Sequence, residues 1–372
     1  MPPEPSAPPS TVRNEMLTKA DRLREAIERH DLGAIRLRGQ DWFAWATCGG
    51  SNGVLMATDA GVAEVLATRS GVRVLTDAIE ADRLRAEEVP PGLDVVAFEW
   101  ADDAALEAHA REAAAGGPVA SDLPADGERP LPAFLVAAKR RLLEPEIERY
   151  RSVGRDAADA MTETLGRATP EMTELELAGV GAEALLKRGL DPALILVAGS
   201  RRVDRHRHPR PTTSPVGDRV EVVICGRRAG LFANLTRFAW FRDPTEAERR
   251  TAMDVALVEA DAFDATRPGA TLGAVFTAVT AAYARLGHPR AELDHHQGGT
   301  TGYRSREVIA APGDPTILDD PVAVAWNPSL TGAKIEDTVL LTHAGLEVLT
   351  VDPSWPTVEV AGRARPDLLV RR

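Results

Sequence analysis

Apolar and polar positions in the first third of the chain alternate between helical and strand spacing. Leucine and isoleucine recur at near-helical intervals over about 17–32 and predict a first helix. Short apolar runs bounded by glycine, proline or aspartate then predict strands, at 34–37, 54–58, 62–67, 72–75 and 93–98. Helices and strands therefore intermix through about residue 130.

Longer elements are predicted after the proline-containing stretch 130–132. Helical periodicity marks four segments, 146–165, 174–188, 246–266 and 271–286. Strand-like runs occupy the remaining apolar positions, at 193–197, 220–225, 231–240, 322–326, 333–341 and 346–350. Two long antiparallel hairpins flanked by helices are typical of a layered α+β architecture.

Length and charge narrow the classes of protein that fit this pattern. A chain of 372 residues is long enough for two domains, and its Pro- and Ser-rich first 12 residues predict a disordered arm. The net charge of −12 repels phosphate backbones and anionic headgroups, so we expect neither nucleic acid nor membrane as a partner. The start of the chain has no apolar signal segment, and its two cysteines cannot build a disulfide framework, so a cytoplasmic protein is expected.

Four segments of the second part resemble the pita-bread family of methionine aminopeptidase, aminopeptidase P, prolidase and creatinase. They stand in that family's order and read HPRPT at 208–212, GDRVEVV with GLFANLTR at 217–237, GGTTG with RE at 298–307, and GAKIEDTV at 332–339. The resemblance implies an α+β fold, with a pita-bread domain over 139–372. A smaller creatinase-type α/β domain is implied over 13–138.

Peptidases of this family hold two metal ions with two aspartates, a histidine and two glutamates. Carried over by position, those ligands become Val223, Asn234, Gly299, Glu307 and Glu336. Valine and glycine have no donor atom, and a neutral amide oxygen is a weak ligand. We therefore expect no Mn, Zn or Co cofactor at these positions and no ordinary aminopeptidase activity.

Creatinase, the metal-free branch of the family, gives the comparison for the residues that remain. There the retained glutamates hold a guanidinium and the histidine of the H-x-x-P motif moves the proton, which implies catalytic roles here for His208, Glu307 and Glu336. Two carboxylates in one cavity need a positive partner, which is either a cationic substrate or Lys334, two residues from Glu336 on the same strand face. The leading hypothesis is therefore a metal-independent hydrolase or lyase that cleaves a C–N bond of a small nitrogenous zwitterion.

Seven further positions are candidates for substrate binding, with packing as the alternative for each. They are Cys225, Asn234, His296, Tyr303, Arg304, Trp326 and Lys334. Cys225 shares a strand face with Val223 and is also considered as a nucleophile. His295 and His296 are adjacent, and strand alternation predicts that at most one of them enters the cavity; His296 is the candidate for an acid/base or substrate contact, with a role in orienting the loop as its alternative. The absence of a side chain at Gly299 is expected to leave room for a ligand.

Two other functions are compatible with the same residues. One is a catalytically inactive pseudopeptidase that keeps the fold for binding a peptide or a partner. The other is an Xaa-Pro-type aminopeptidase or dipeptidase with a rearranged metal site built from Glu307, Glu336, His296 and Asn234. The resemblance also implies a homodimer, because members of the two-domain branch commonly form one.

Overall fold

The computed structural model describes residues 10–371, and the chain divides into two compact units, 1–147 and 148–372. The predicted domain boundary, between 138 and 139, lies slightly earlier in the chain. Helix α1 begins at Ser10, so positions 10–12 of the predicted arm are helical. Residues 1–9 of that arm lie outside the described residues.

The first unit contains five helices and six strands in the described range. Its helices are α1 (Ser10–Arg29), α2 (Gln40–Ala46), α3 (Ala81–Arg83), which continues as a π-helical turn (Leu84–Glu88), α4 (Asp103–Ala113) and α5 (Ala133–Arg140). Its strands are β1 (Ala34–Gly39), β2 (Ala60–Thr68), β3 (Gly71–Asp77), β4 (Asp94–Phe98), β5 (Val119–Ser121) and β6 (Arg129–Pro130). They form one sheet in the order β4-β3-β2-β1-β5-β6, with β1, β2 and β3 antiparallel and the outer pairs parallel.

The strands predicted at 34–37, 62–67, 72–75 and 93–98 are confirmed as β1 to β4. The strand predicted at 54–58 is wrong. This segment belongs to no strand, and Val54, Leu55 and Met56 are all more than half exposed. An apolar run predicts a strand only where a neighbouring strand is available to pair with it, and β1 already pairs with β2 and β5.

The second unit contains the longer elements, and its predicted helices are all confirmed. The helices are α6 (Glu144–Arg167), α7 (Glu174–Leu186), α8 (Glu246–Ala265) and α9 (Leu272–Arg285), with a 3₁₀ turn at Ala291–Leu293. The strands are β7 (Asp191–Gly199), β8 (Arg219–Arg228), β9 (Leu231–Trp240), β10 (Gly298–Thr301), β11 (Val308–Ile309), β12 (Val322–Trp326), β13 (Ser329–Leu330), β14 (Ala333–Lys334), β15 (Asp337–Thr342), β16 (Gly345–Val348), β17 (Thr357–Val360), β18 (Arg363–Pro366) and β19 (Leu369–Val370).

Two of these helices begin at a capping box. The hydroxyl of Thr173 accepts a hydrogen bond from the backbone N–H of Glu176, whose carboxylate accepts one from the N–H of Thr173. Thr245 and Glu248 make the same reciprocal pair at the start of α8. These bonds satisfy backbone donors that a helix leaves unpaired at its first turn, which fixes where α7 and α8 begin.

Two main sheets carry the core of the second unit. The first has the order β19-β9-β8-β7, and β8 and β9 pair without a register shift along their whole length. The second has the order β11-β10-β12-β15-β16. Helices α8 and α9 pack on the second sheet through a continuous apolar cluster that includes Phe263, Val279 and Trp326.

The strand predicted at 333–341 is divided in two by Glu336. Before the break, β14 pairs with β13, and after it, β15 pairs with β12 and β16. At the break itself the carbonyl of Glu336 accepts a hydrogen bond of 3.1 Å from the N–H of Thr236, so the chain is joined locally to β9. This junction of the two sheets places Glu336 next to the inner face of the β8–β9 hairpin.

Candidate active site

The inner face of the β8–β9 hairpin is defined by strand alternation. Glu221, Val223 and Cys225 lie on one face of β8 because successive side chains point to opposite sides. In the antiparallel register Val223 lies opposite Thr236, and Cys225 lies opposite Asn234. The prediction that Cys225 lies on the face that bears Val223 therefore agrees with the observed register, and that register adds Asn234 to the same face.

Glu336 is held by two cations and a hydroxyl. One carboxylate oxygen lies 2.5 Å from Nη2 of Arg306, and the other lies 3.3 Å from Nζ of Lys334 and accepts a 2.9 Å hydrogen bond from Thr236. Burial by itself would raise the pKa of Glu336, but the charges of Lys334 and Arg306 lower it to about 2. The carboxylate is therefore ionised at neutral pH.

This arrangement changes the predicted role of the two glutamates. The sequence predicts one positive partner for the pair Glu307 and Glu336. In the structure the chain itself supplies two cations to Glu336, namely Arg306 and Lys334. Glu307 lies near Tyr150, since its charge adds to burial in raising the pKa of that phenol. Glu336 therefore needs no cationic substrate to compensate its charge.

Three histidines lie together beside this ion pair. Nε2 of His208 lies 2.9 Å from Nε2 of His295, and the ring centroids of His295 and His296 are 4.3 Å apart. Because these two rings stack on each other, the alternation of sides predicted for the adjacent histidines is wrong. Both precede β10 in irregular backbone, where the alternation of a strand does not apply.

All three imidazoles are neutral at pH 7. Burial and the nearby charge of Lys334 lower the pKa of His295 to about 2, and burial and Arg306 lower that of His296 to about 4. Burial and Lys334 also lower the pKa of His208, although its side chain is exposed to solvent. The cluster therefore presents lone pairs rather than positive charge.

The residues at the five ligand positions do not fit the family's pair of metal ions. Val223 has no donor, the amide nitrogen of Asn234 donates to Thr301 at 3.0 Å, and Glu336 is already bound by two cations. Metal ions of this kind need several charged or imidazole ligands. We derive no chemistry from such ions at these positions.

Gly299 does not leave the room that its missing side chain predicts. Its φ of 153° is unfavourable for other residues, and a Cβ added there would lie 2.0 Å from the carbonyl oxygen of Val308 on β11. Strands β10 and β11 approach each other so closely that no space remains for a side chain at this position. A histidine cannot be restored at this position without moving the sheet edge.

The substitution Gly299→His is expected to destabilise the protein by about 1–3 kcal/mol and to add no metal binding, because overpacking and backbone strain combine. Thermal unfolding and Zn²⁺ titration measure the two effects. Gly166→His is the matched control, since a Cβ there meets no atom within 4 Å. Equal melting temperatures for the two variants would contradict this account of Gly299.

The other predicted binding residues divide into buried and exposed groups. Trp326 is fully buried in the core under α8 and α9, and its indole donates to Thr266 at 2.9 Å, so the prediction that it binds substrate is wrong. Tyr303 is 1 % exposed, whereas Arg304 lies at the surface. Burial raises the pKa of Cys225 to about 12, which disfavours the thiolate that a nucleophile requires.

Sequence reasoning missed three residues of the site. Arg306 binds Glu336, His295 contacts His208, and Glu221 is buried on the same strand face as Val223. Burial raises the pKa of Glu221 to about 7, and the charge of Lys334 opposes that rise. The period-two pattern of β8 could have revealed Glu221, but no local pattern identifies the partners of Arg306 and His295.

The fold defines a protein built on a peptidase scaffold. Residues 148–343 match the metallopeptidase family M24, and the chain belongs to this family. Its second unit has the pita-bread fold, preceded by an N-terminal α/β unit, as the resemblance predicted. A search of curated proteins found no match.

Solved structures of similar fold cover nearly the whole chain. The Xaa-Pro dipeptidase from Bacillus anthracis is 18 % identical with a TM-score of 0.76, and the match covers 96 % of this chain and 100 % of that one. The prolidase from Pyrococcus horikoshii OT3 is 18 % identical, with a TM-score of 0.76 and coverage of 90 % and 98 %. The N-terminal domain of the FACT complex subunit SPT16 from Cicer arietinum is 12 % identical, with a TM-score of 0.68 and coverage of 91 % and 96 %.

Among residues 10–371, no helix combines the length and the apolar character needed to cross a bilayer.

Proposed function

We propose that the protein is a hydrolase that cleaves a C–N bond of a small nitrogenous zwitterion without metal ions at the family's ligand positions. The contact between His208 and His295, beside the ion pair of Glu336, is the observation that carries this proposal. Such a reaction is of the kind that the resemblance to creatinase implies.

His208 is the proposed acid and base. Its imidazole is neutral and reachable from solvent, so it can accept a proton from an attacking water and return it to the leaving nitrogen. The 2.9 Å contact with the buried His295 orients the ring. A general base must be held in a fixed direction to be effective, and His295 serves this purpose.

The charges beside the histidines support a substrate that carries a carboxylate. Lys334 and Arg306 are two cations that share one ionised carboxylate, Glu336, so positive charge remains for an anionic group. Glu221, with its raised pKa, lines a small cavity that Lys334 also lines. A positively charged substrate group near Glu221 would favour the ionised carboxylate, which completes the binding of a zwitterion.

A chelator experiment tests this function. The protein is assayed with guanidino, amidine and cyclic amino-acid compounds and with Xaa-Pro dipeptides, with EDTA and separately with Mn²⁺ after its removal. We expect turnover of at least one small nitrogenous compound that EDTA leaves unchanged and Mn²⁺ does not increase. Xaa-Pro cleavage that EDTA abolishes and Mn²⁺ restores would refute the proposal and favour the rearranged metallopeptidase.

A binding protein is the second candidate. One of the solved structures of similar fold is described as a subunit of a complex, and the ion pair of Arg306, Lys334 and Glu336 occupies the region of the family's ligands with charges supplied by the chain. If the protein only binds its ligand, none of the compounds assayed in the chelator experiment is turned over. Binding without turnover, detected by a thermal shift with a zwitterionic ligand, would support it.

A further inference from the structure

The histidine cluster brings three nitrogen donors to one point. His208 follows β7, and His295 and His296 precede β10, so two distant segments of the chain contribute to it. One donor atom from each residue lies within 4.8 Å of the other two. None of the three occupies one of the five positions that correspond to the family's metal ligands.

The hydrogen bonds of this cluster are incomplete. His295 is 7 % exposed, and its Nε2 faces His208 while its Nδ1 is buried with no hydrogen-bond partner among the described residues. The Nδ1 of His296 is also buried without a partner in that part of the chain. A buried polar atom without a partner is unfavourable, so the hydrogen bonding of the cluster is not satisfied by the described residues alone.

We propose that His208, His295 and His296 bind one divalent transition-metal ion, of the class of Zn²⁺, Ni²⁺ or Cu²⁺. Neutral imidazole nitrogens are preferred ligands of these ions, and one cation can accept a lone pair from one nitrogen of each ring. Zn–N bonds of about 2.0–2.1 Å in a tetrahedron place the nitrogens roughly 3.4 Å apart. The Nε2 atoms of His208 and His295 are already 2.9 Å apart. The exposed side chain of His208 can rotate to bring its nitrogen to bonding distance of an ion held by the other two histidines.

The surrounding charges permit this ion. The charge of Lys334 lowers the pKa of all three histidines and that of Arg306 lowers the pKa of His208 and His296, and both cations are bound to Glu336. The negative charge of Glu336 raises the pKa of each of the three histidines. The positive field that would oppose a metal ion is therefore partly neutralised.

The ion is expected to inhibit the enzyme, and this second part of the inference rests on the proposed function. A metal ion on His208 occupies the lone pair with which the residue would accept a proton. In a metallopeptidase of the family, the metal ions activate water for the reaction. Here a transition-metal ion bound at the histidines has the opposite effect.

Binding is tested without any substrate. Protein treated with EDTA and then dialysed is titrated with Zn²⁺ alone by calorimetry, and Co²⁺ is followed by its visible absorption. We expect one ion per chain. His295→Ala and His296→Ala should each weaken Zn²⁺ binding at least about 100-fold, since the loss of even an outer-shell partner costs about 10–100-fold.

Two control variants locate the ion. His343→Ala removes an exposed histidine, and Glu307→Gln removes a family ligand position, so neither should change the Zn²⁺ affinity. A wild-type protein that binds no Zn²⁺, or a Glu307→Gln variant that loses it as fully as His295→Ala does, would overturn the proposed site. Mg²⁺, which prefers oxygen ligands, should not compete.

The inhibition by Zn²⁺ is measured separately, as the rate of turnover of the compound that the chelator experiment identifies as a substrate. One equivalent of Zn²⁺ should remove most of the activity of the wild type, and EDTA should restore it. Stoichiometric binding with full activity would overturn the inhibitory role while the metal site stands. If no compound is turned over, the proposed function fails, but the titration still decides the site.

Discussion

Replacing His208 by alanine is expected to lower kcat by about 10²- to 10⁴-fold, which is the usual contribution of a general acid and base. The residue is exposed, so its loss removes little packing and the fold should be retained. The nitrogen that lies 2.9 Å from His295 is lost in the variant, and no other imidazole of the cluster is exposed. Steady-state kinetics with the compound identified in the chelator experiment measure the effect.

His343→Ala is the matched control for this variant. His343 is exposed, pairs with Asp320 and lies outside the cavity of Glu221 and Lys334, so its loss should leave kcat near the wild-type value. Thermal unfolding of both variants checks that neither has lost its structure. If His208→Ala reduces kcat no more than His343→Ala does, His208 is not the acid and base.

The second large effect is expected from a buried ion cluster in the second unit. Arg365 on β18 donates to both carboxylate oxygens of Glu259 on α8, at 2.7 and 2.8 Å, and to Asp337 on β15 at 2.5 Å. All three residues are at most 3 % exposed. Arg365→Leu should lower the free energy of unfolding by about 3–5 kcal/mol, because it leaves Glu259 buried without its bidentate cation and close to Asp337, which then keeps only Arg237 as its cation.

Arg363→Ala supplies the comparison on the same strand. Its guanidinium pairs with Asp264 at 2.6 Å, but both side chains are at least one-third exposed. A surface pair of this kind contributes about 0–1 kcal/mol. Urea unfolding, with the transition of each unit followed separately, measures both variants. Similar losses for Arg365→Leu and Arg363→Ala would show that burial does not govern the strength of the cluster.

The position of Asp337 connects this cluster to the site. Asp337 directly follows Glu336, and it accepts a 2.7 Å hydrogen bond from Arg237, which also donates to the carbonyl of Glu336 at 3.1 Å. The ion cluster therefore fixes the backbone at the break between β14 and β15. That backbone determines where the carboxylate of Glu336 points.

Much of the architecture was predictable from periodicity. The four long helices of the second unit and the hairpin of β8 and β9 follow directly from their apolar spacing. Their ends coincide with local signals such as Thr173 and Thr245, which cap the helices that follow them. Local signals suffice here because helix ends and strand alternation depend on near neighbours in the chain.

The sequence by itself also determined which ligands are missing. The resemblance assigns positions 223 and 299 to metal ligands, and valine and glycine have no side-chain donor in any fold, so the expectation that these two ligands are missing needed no structure. The same reasoning placed His208, Lys334 and Glu336 in one site. Lys334 and Glu336 are two positions apart, and the resemblance supplied His208.

Only the tertiary structure decided how these residues are paired. Arg306 reaches Glu336 across 30 positions of the chain, and His295 reaches His208 across 87. Such pairs form where sheets and loops from distant segments meet, so no local spacing encodes them. The same reason explains Gly299, whose apparent free space is taken by the carbonyl oxygen of β11, a neighbour that only the folded sheet brings within 2.0 Å of its missing Cβ.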